Sequence, residues 1–391
     1  MLKTQVSPWP SFTSEEAGAI SGTLLSNRVN YWTGSECRHF EREFADWTGV
    51  KHAVAFANGT LALEAALKSL AIGNNDEVIV TPRSFIASVS CVITAGGRPV
   101  FADVDSDSQG LTEASIRAVL TARTRAIVCV HLAGMPCDMD PIMALAKECG
   151  LAVVEDCAQA HGAMYRGRMV GSIGHIGAWS FCQDKIMTTG GEGGMITTND
   201  PELWSKIWSY KDHGKSSAAV YERTHPTGFR WLHESFGTNA RMIEIQAAIG
   251  RIQLRRMPAW TALRARNATK LAETCRRFSV VRVPQVPADI VHAYYRFYAF
   301  VRPENLLAGW TRDRIVAEIV ARGVPCFQGS CSEIYLEQAF ERTDFRPAER
   351  LPTARELGET SLSFLVHPTL SEADVKLTCD AINDVLTRAT R

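Results

Sequence analysis

Lys185 stands just ahead of a glycine run in "SFCQDKIMTTGGEGG" (180–194), a setting that allows more than one kind of chemistry. A phosphate-clamping loop of the Walker type requires GxxxxGK[ST], with the lysine after the glycines. Here the lysine precedes them. A dinucleotide fingerprint fails too, because "GSIGHIG" places glycines at 171, 174 and 177 rather than as GxGxxG. The base-rate alternative is a solvated surface lysine. The remaining chemistry is nucleophilic: an amine that forms an imine with a carbonyl group.

Other residues gain meaning beside that lysine. Asp156 closes the β-rich run "LAVVED" (151–156), preceded by Glu155 and followed by Gln159 and His161. Alone it reads as a strand-end helix cap, or as a carboxylate facing a cationic ring nitrogen. Asn58-Gly59-Thr60 separates a strand from a helix, where free amides and a hydroxyl suit a phosphate ester, or simply cap a turn. Phe85, in "TPRSFIASVS", opens the next helix, where its ring can lie on a flat ligand or join the core. Ser180 ends the strand before Lys185, and glycines 190, 191, 193 and 194 let the backbone pass close to a bound group. Pyridoxal 5′-phosphate requires a phosphate cup, an aromatic lid, an acid opposite its ring nitrogen and a lysine on its aldehyde. Candidates for all four occur along the chain in that order.

Strand–helix alternation has to position these residues. "AVAFA" (53–57) precedes "GTLALEAALKSL", "EVIV" (77–80) precedes "FIASVSCVITAG", "PVFADV" (99–104) precedes a helix from Ala114 to Leu120, "AIVCV" (126–130) precedes "DPIMALAKECG", and 151–156 precedes a helical "CAQAHG". Such units predict an α/β fold with a parallel or mixed sheet covered by helices on both faces, and ligands beyond the carboxyl ends of its strands. Upstream, Thr13 and Glu16 have capping-box spacing. In "SECRHFEREFADWTG", Ser35 caps, Phe40, Phe44 and Trp47 share a face, and Gly49 stops the helix. A long helix from about Arg241 is expected to bend or break at Pro258. It divides a large domain (1–257) from a smaller α+β domain (258–391), which holds a strand at 292–301 and helices at 312–322 and 371–387.

Composition limits the partners. Forty-two basic and forty-two acidic residues among 391 cancel, without a run of one sign, which disfavours nucleic acid and membrane surfaces and points to a small molecule. Eleven cysteines, odd in number and without CxxC spacing, read as free thiols of a reducing cytoplasm rather than as metal ligands. Neither a signal peptide nor a membrane span is apparent, so the expectation is a cytoplasmic protein.

The ordered fragments "WTGSECRHFEREFADWTG", "FANGTLALEAAL", "DEVIVTPRSFIAS", "HLAGMPCDMDPI", "VVEDCAQAHGA", "SFCQDKIMTTGGEGG", "FGTNARMIEIQAAIG" and "HPTLSEAD" resemble the DegT/DnrJ/EryC1/StrS family of sugar aminotransferases. These are pyridoxal-phosphate enzymes of the aspartate-aminotransferase fold, fold type I. The resemblance implies that Gly59 and Thr60 bind the phosphate, Phe85 stacks on the ring, Asp156 partners the pyridine nitrogen, Gln159 neighbours the ring hydroxyl, Ser180 adds a phosphate contact and Lys185 carries the cofactor. It further implies that Asn239, in "GTNAR", reaches the phosphate site of the other subunit of a homodimer. Glutamate as amino donor and a nucleotide-linked 4-keto-6-deoxyhexose as acceptor follow by the same likeness. A cyclitol or other cyclic ketone and a non-catalytic regulatory role are the alternatives, and a sister group of dehydratases has histidine in place of the lysine. One departure stands out: Arg83 occupies "TPRSF" where many members have "PSFTF", and is either structural or a contact for an anionic substrate. Arg230, His233 and Arg241 are further candidate substrate contacts.

Overall fold

The computed structural model of the protein describes residues 6–391. The chain enters through α1 (Ser14–Leu25) and α2 (Glu36–Thr48). Thr13 caps α1, its amide and hydroxyl donating to the Glu16 carboxylate at 2.7 and 2.6 Å. In α2, Phe40 and Phe44 are fully buried, Trp47 packs beside Phe44, and Gly49 ends the helix in a left-handed conformation (φ 74°). The expected Ser35 cap is replaced. Its side chain makes no capping bond, and the buried Glu244 carboxylate instead accepts from the amides of Glu36 (2.5 Å) and Cys37 (3.4 Å). A carboxylate at a helix N-terminus satisfies orphan amides and meets the positive end of the dipole. Glu244→Ala is therefore expected to destabilise the fold by about 1–3 kcal/mol, read as a lower urea midpoint with an unchanged m-value.

Next come β1 (His52–Phe56), α3 (Gly59–Ser69), β2 (Glu77–Val80), α4 (Ala87–Ala95), β3 (Arg98–Phe101), α5 (Glu113–Arg117), β4 (Thr124–Val130), α6 (Met139–Cys149) and β5 (Ala152–Asp156). After a short hairpin, β6 (Met164–Tyr165) and β7 (Arg168–Met169), β8 (Ile176–Ser180) and β9 (Gly194–Thr198) complete a seven-stranded sheet in the order β1-β9-β8-β5-β4-β2-β3. β3, β2, β4, β5 and β8 run parallel, and β9 is antiparallel to both of its neighbours. Their near-continuous apolar runs, rather than alternation, reflect burial on both faces. The helix expected at "CAQAHG" does not form. Residues 157–163 make successive turns, with Ala160 N–H bonded to Cys157 O, Ala163 N–H to Ala160 O, and Gly162 at φ 86°. That positive φ leaves no room for a helical course.

Beyond α7 (Pro201–Lys211) and α8 (Ser217–Tyr221), α9 runs unbroken from Glu244 to Cys275 through Pro258. The expected break is absent: the proline removes one amide, while packing of α9 against α1 and α2 holds the remaining turns. The rest of the chain supplies β10 (Val281–Arg282), β11 (Ile290–Val291), β12 (Phe297–Val301), α10 (Arg312–Val320), β13 (Cys326–Phe327), α11 (Pro352–Thr360), β14 (Ser361–Phe364) and α12 (Glu372–Ala389). An antiparallel sheet, β10-β12-β14-β13, packs with α10, α12 and the end of α9 around a second hydrophobic core, whereas β11 joins the β6–β7 hairpin. The strand expected over 292–301 starts only at Phe297, because Tyr294 lies at φ 49° and turns the chain just before it. Among the described residues, no helix is long and apolar enough to cross a membrane.

Candidate active site

A cavity of about 620 Å³ opens at the carboxyl ends of β4, β5 and β8. Its lining includes Gly59, Thr60, Phe85, Asp156, Gln159, Ser180 and Lys185, so residues spread over more than 120 positions meet in one space. Asn239 does not line it. That residue is exposed and bridges to Asp212.

One end of the cavity is built to receive an anion. α3 starts at Gly59, the Asn58 side chain accepts from the Leu61 amide at 2.9 Å, and the first-turn amides of Gly59 and Thr60 have no intrahelical acceptor. A Cβ on Gly59 would lie 2.5 Å from the Ser180 Cβ, so only glycine lets the helix begin against the tip of β8. Gly59→Ala is accordingly expected to lower phosphate-ester affinity at least about tenfold by pushing Ser180 away, measured by fluorescence titration with a pyridoxal phosphate analogue. The glycines after Lys185 act differently from expectation. None of the four lines the cavity; Gly194 instead packs its α-carbon against the Asn58–Gly59 backbone, where a Cβ would lie 2.4 Å from the Asn58 oxygen. Gly194 thereby brings β9 up against the start of α3.

The acid and the amine are held from below. Asp156, 4% exposed at the end of β5, accepts from the Ser88 hydroxyl (2.7 Å) and the Ala158 amide (3.0 Å). Side-chain alternation along β5 sends its neighbour Glu155 to the opposite face. There Glu155 accepts from the amides of Gly171, Ile173 and Gly174 and pairs with His131 at 2.9 Å. Burial raises the Glu155 pKa, but His131 and the amides outweigh it and leave the net value lowered. Gln159 is fixed by accepting the Ala133 amide at 2.8 Å. Lys185 sits in the loop after β8 with its Nζ 3.9 Å from Asp184 and 5.2 Å from the Tyr295 ring centroid, and the Trp9 indole donates to its carbonyl at 2.8 Å. Burial pushes the Asp184 carboxyl up, yet Lys185 and the Tyr295 hydroxyl bring it below its ordinary value. Phe85, 65% exposed, stands at the rim.

The DegT/DnrJ/EryC1/StrS aminotransferase profile matches residues 10–383. The chain belongs to this aminotransferase family. The aminotransferase of Psychrobacter cryohalolentis, known from X-ray analysis, is 61% identical, with a TM-score of 0.96 over 98% of this chain and 99% of that one. GDP-perosamine synthase of Caulobacter vibrioides is 39% identical over 354 residues, 89% of each chain. S. venezuelae DesV, solved with a ketimine intermediate, is 32% identical with a TM-score of 0.85, covering 96% of this chain and 95% of its own. The fold is that of the family's fold type I aminotransferases, with its large mixed α/β sheet.

Arg83, the departure from the family pattern, is fully buried and outside the cavity. Its Nε donates to Gln109 at 3.0 Å and its guanidinium lies 5.6 Å from the Tyr298 ring centroid. Arg241 pairs with Asp212, while Arg230 and His233 are exposed and line none of the cavity. His161 is buried between Trp179 and Phe181, and burial, with help from Lys185 and Arg264, pushes its pKa down to about 3. Sequence reasoning passed over Ser88, Tyr295 and Arg296. Only Ser88 had a local signal, standing three residues after Phe85 in "SFIASVS"; Phe85 itself lies just before α4, which starts at Ala87 rather than at the phenylalanine.

Proposed function

We propose that this aminotransferase uses pyridoxal 5′-phosphate to move an amino group from glutamate to a nucleotide-linked keto-sugar, a 4-keto-6-deoxyhexose, in cytoplasmic amino-sugar biosynthesis for a polysaccharide. The observation that carries the reading is Lys185 in a cavity that also holds Asp156 and the amide cup of α3. The donor set fits the cofactor: orphan amides and the Thr60 and Ser180 hydroxyls for the phosphate, a carboxylate for the pyridinium, an amide side chain for the ring oxygen, and Phe85 for the ring face. When bound, the cofactor supplies an electron sink for the carbon that loses or gains a proton. Lys185 would hold the cofactor and, once its amine is free, would move the proton at the reacting carbon of the amino donor and, in the reverse direction, of the keto-sugar. Asp156, held in place by Ser88 and Ala158, would keep the cofactor's ring nitrogen protonated. A lysine rather than a histidine favours amine transfer over dehydration, and likeness to a GDP-perosamine synthase supports a nucleotide sugar. The decisive experiment incubates the purified holoenzyme with glutamate and then with keto-sugar nucleotides. Bleaching of the cofactor's visible band with release of 2-oxoglutarate, and recovery on adding one keto-sugar, is expected. No spectral response to any amino acid would sink the proposal.

We further propose a homodimer with shared sites. Phe236, Trp231 and Phe229 are largely or fully exposed in the segment that leads to Asn239, an apolar surface that asks for a cover. Asn239, outside its own cavity, is then free to reach the partner's phosphate cup. Lys185→Ala and Asn239→Ala chains are each expected to be impaired. Mixed and reassembled, they should recover about a quarter of wild-type turnover, since half the dimers are hybrids with one intact site of two. Absence of recovery places Asn239 in its own subunit's site.

A further inference from the structure

A second, smaller cavity of about 260 Å³ lies behind the loop that carries Lys185, between the N-terminal residues Ser7 to Trp9, α9 and the start of β12. Its polar walls are basic. Arg264 on α9 is 2% exposed; its Nη1 donates to the Tyr294 carbonyl at 3.2 Å, while Nε and Nη2 have no partner among the described residues. Arg296 presents a buried Nη1, likewise unpartnered. Thr369 donates its hydroxyl to the Pro8 carbonyl and so accepts from His367 Nδ1 at 2.8 Å, which leaves the His367 Nε2 lone pair unpartnered. The one acid on the wall, Asp184, is engaged by the Tyr295 hydroxyl and the nearby Lys185.

The buried Arg264 and half-buried Arg296 guanidinium groups against one carboxylate leave excess positive charge on this wall, with three guanidinium nitrogens unpartnered. Such groups are costly to bury unless something pairs with them. Burial, then repulsion from Arg296, pushes the Arg264 pKa down to about 9, as expected of a cation without a counter-charge. The ligand that complements this wall is a single anion with two acceptor oxygens, which a planar guanidinium engages as a fork. The space is too small for a nucleotide sugar but fits a carboxylate on a short chain.

Position assigns the owner of that carboxylate. The small cavity shares Asp184, Tyr295, Arg296 and Phe327 with an intermediate cavity of about 350 Å³. The intermediate cavity in turn shares Phe85, Gln159, Asp184 and Lys185 with the main one. A ligand whose amine stands at Lys185 can therefore extend past Tyr295 to the arginines. We infer that Arg264 and Arg296 bind a carboxylate of the amino donor, so that donor and nucleotide sugar enter Lys185 from different walls. This inference rests on the aminotransferase reading above.

Glutarate, which carries the carboxylates of glutamate without its amine, is the probe. Calorimetric titration of the holoenzyme should show saturable glutarate binding that competes with glutamate. Arg296→Gln and Arg264→Met should each weaken glutarate binding and raise the glutamate KM about 10- to 100-fold, with the sugar-nucleotide KM changed less than about twofold, while Arg296→Lys recovers part of the loss. Should Arg264→Met fail to fold, Arg296→Gln, on a half-buried wall, still decides. Variants that bind glutarate and use glutamate like the wild type would overturn the inference, as would glutarate competing with the nucleotide sugar instead of glutamate. If no amino acid converts the cofactor, the functional reading fails, whereas glutarate binding that is lost in Arg296→Gln still supports the carboxylate site.

Discussion

Lys185→Ala is expected to lower turnover at least about 1,000-fold, because it removes both the nucleophile and the proton carrier from one position. The side chain is well placed for both roles. Its Nζ hangs between the Asp184 carboxylate and the Tyr295 ring, neither of which is close enough to lock it, so it can swing toward the main cavity. The loop around it is nevertheless anchored, by the Trp9 indole on the Lys185 carbonyl and by the Lys185 amide on the Cys182 carbonyl. Thermal unfolding should therefore barely change. A readout that separates this from a structural lesion is chemical rescue: small primary amines should restore part of the rate in proportion to their basicity. Lys185→His should retain the cofactor while losing amine transfer. Near-wild-type turnover in Lys185→Ala would remove the basis of the proposed mechanism.

The site was legible in the sequence where its chemistry is local and opaque where it is tertiary. Gly59, Thr60, Asp156, Ser180 and Lys185 all sit at strand ends or in the turns that follow them. In a parallel sheet those ends converge whatever the loops do. The sheet was readable for the same reason, since runs such as "AIVCV" and "LAVVED" bury both faces. What failed was decided by contacts from elsewhere. Glu244, some 200 positions away, took over the Ser35 cap, and a left-handed Tyr294 cut the expected strand short. The helical reading at 157–162 was undone by Gly162. Packing against α1 and α2 kept α9 continuous through Pro258, where propensity alone predicted a bend or a break. Tyr295 and Arg296 could not be placed from sequence, because nothing in "HAYYRFYAFV" says which aromatic or arginine turns toward Lys185. Arg83 shows the converse. Its unusual position was visible at once, but only the fold reveals that it is buried beside Tyr298 and outside the cavity lining.

Asp156→Asn should produce the second large effect, a fall in kcat of about 100- to 1,000-fold with the fold intact. Asparagine keeps the size; its single amide oxygen can accept from the Ala158 amide while its NH2 faces the Ser88 hydroxyl, which can turn to accept, so the geometry at the end of β5 survives. What disappears is the negative charge that, in the proposed function, faces the cofactor's ring nitrogen. Removing one partner of a buried ion pair costs about 3–5 kcal/mol, and each 1.4 kcal/mol of barrier is about a factor of ten in rate. The sign of the pH effect follows. A carboxylate beside the nitrogen favours its protonated form, so the wild type retains that proton to higher pH. In Asp156→Asn the proton leaves at lower pH, and the alkaline limb of the kcat profile should move toward acid. Ser88→Ala, which removes one donor but leaves the charge, should cost only about tenfold, with a smaller shift of that limb in the same direction. An Asp156→Asn enzyme whose rate falls without any displacement of the alkaline limb would show that the carboxylate positions the ring without holding its proton.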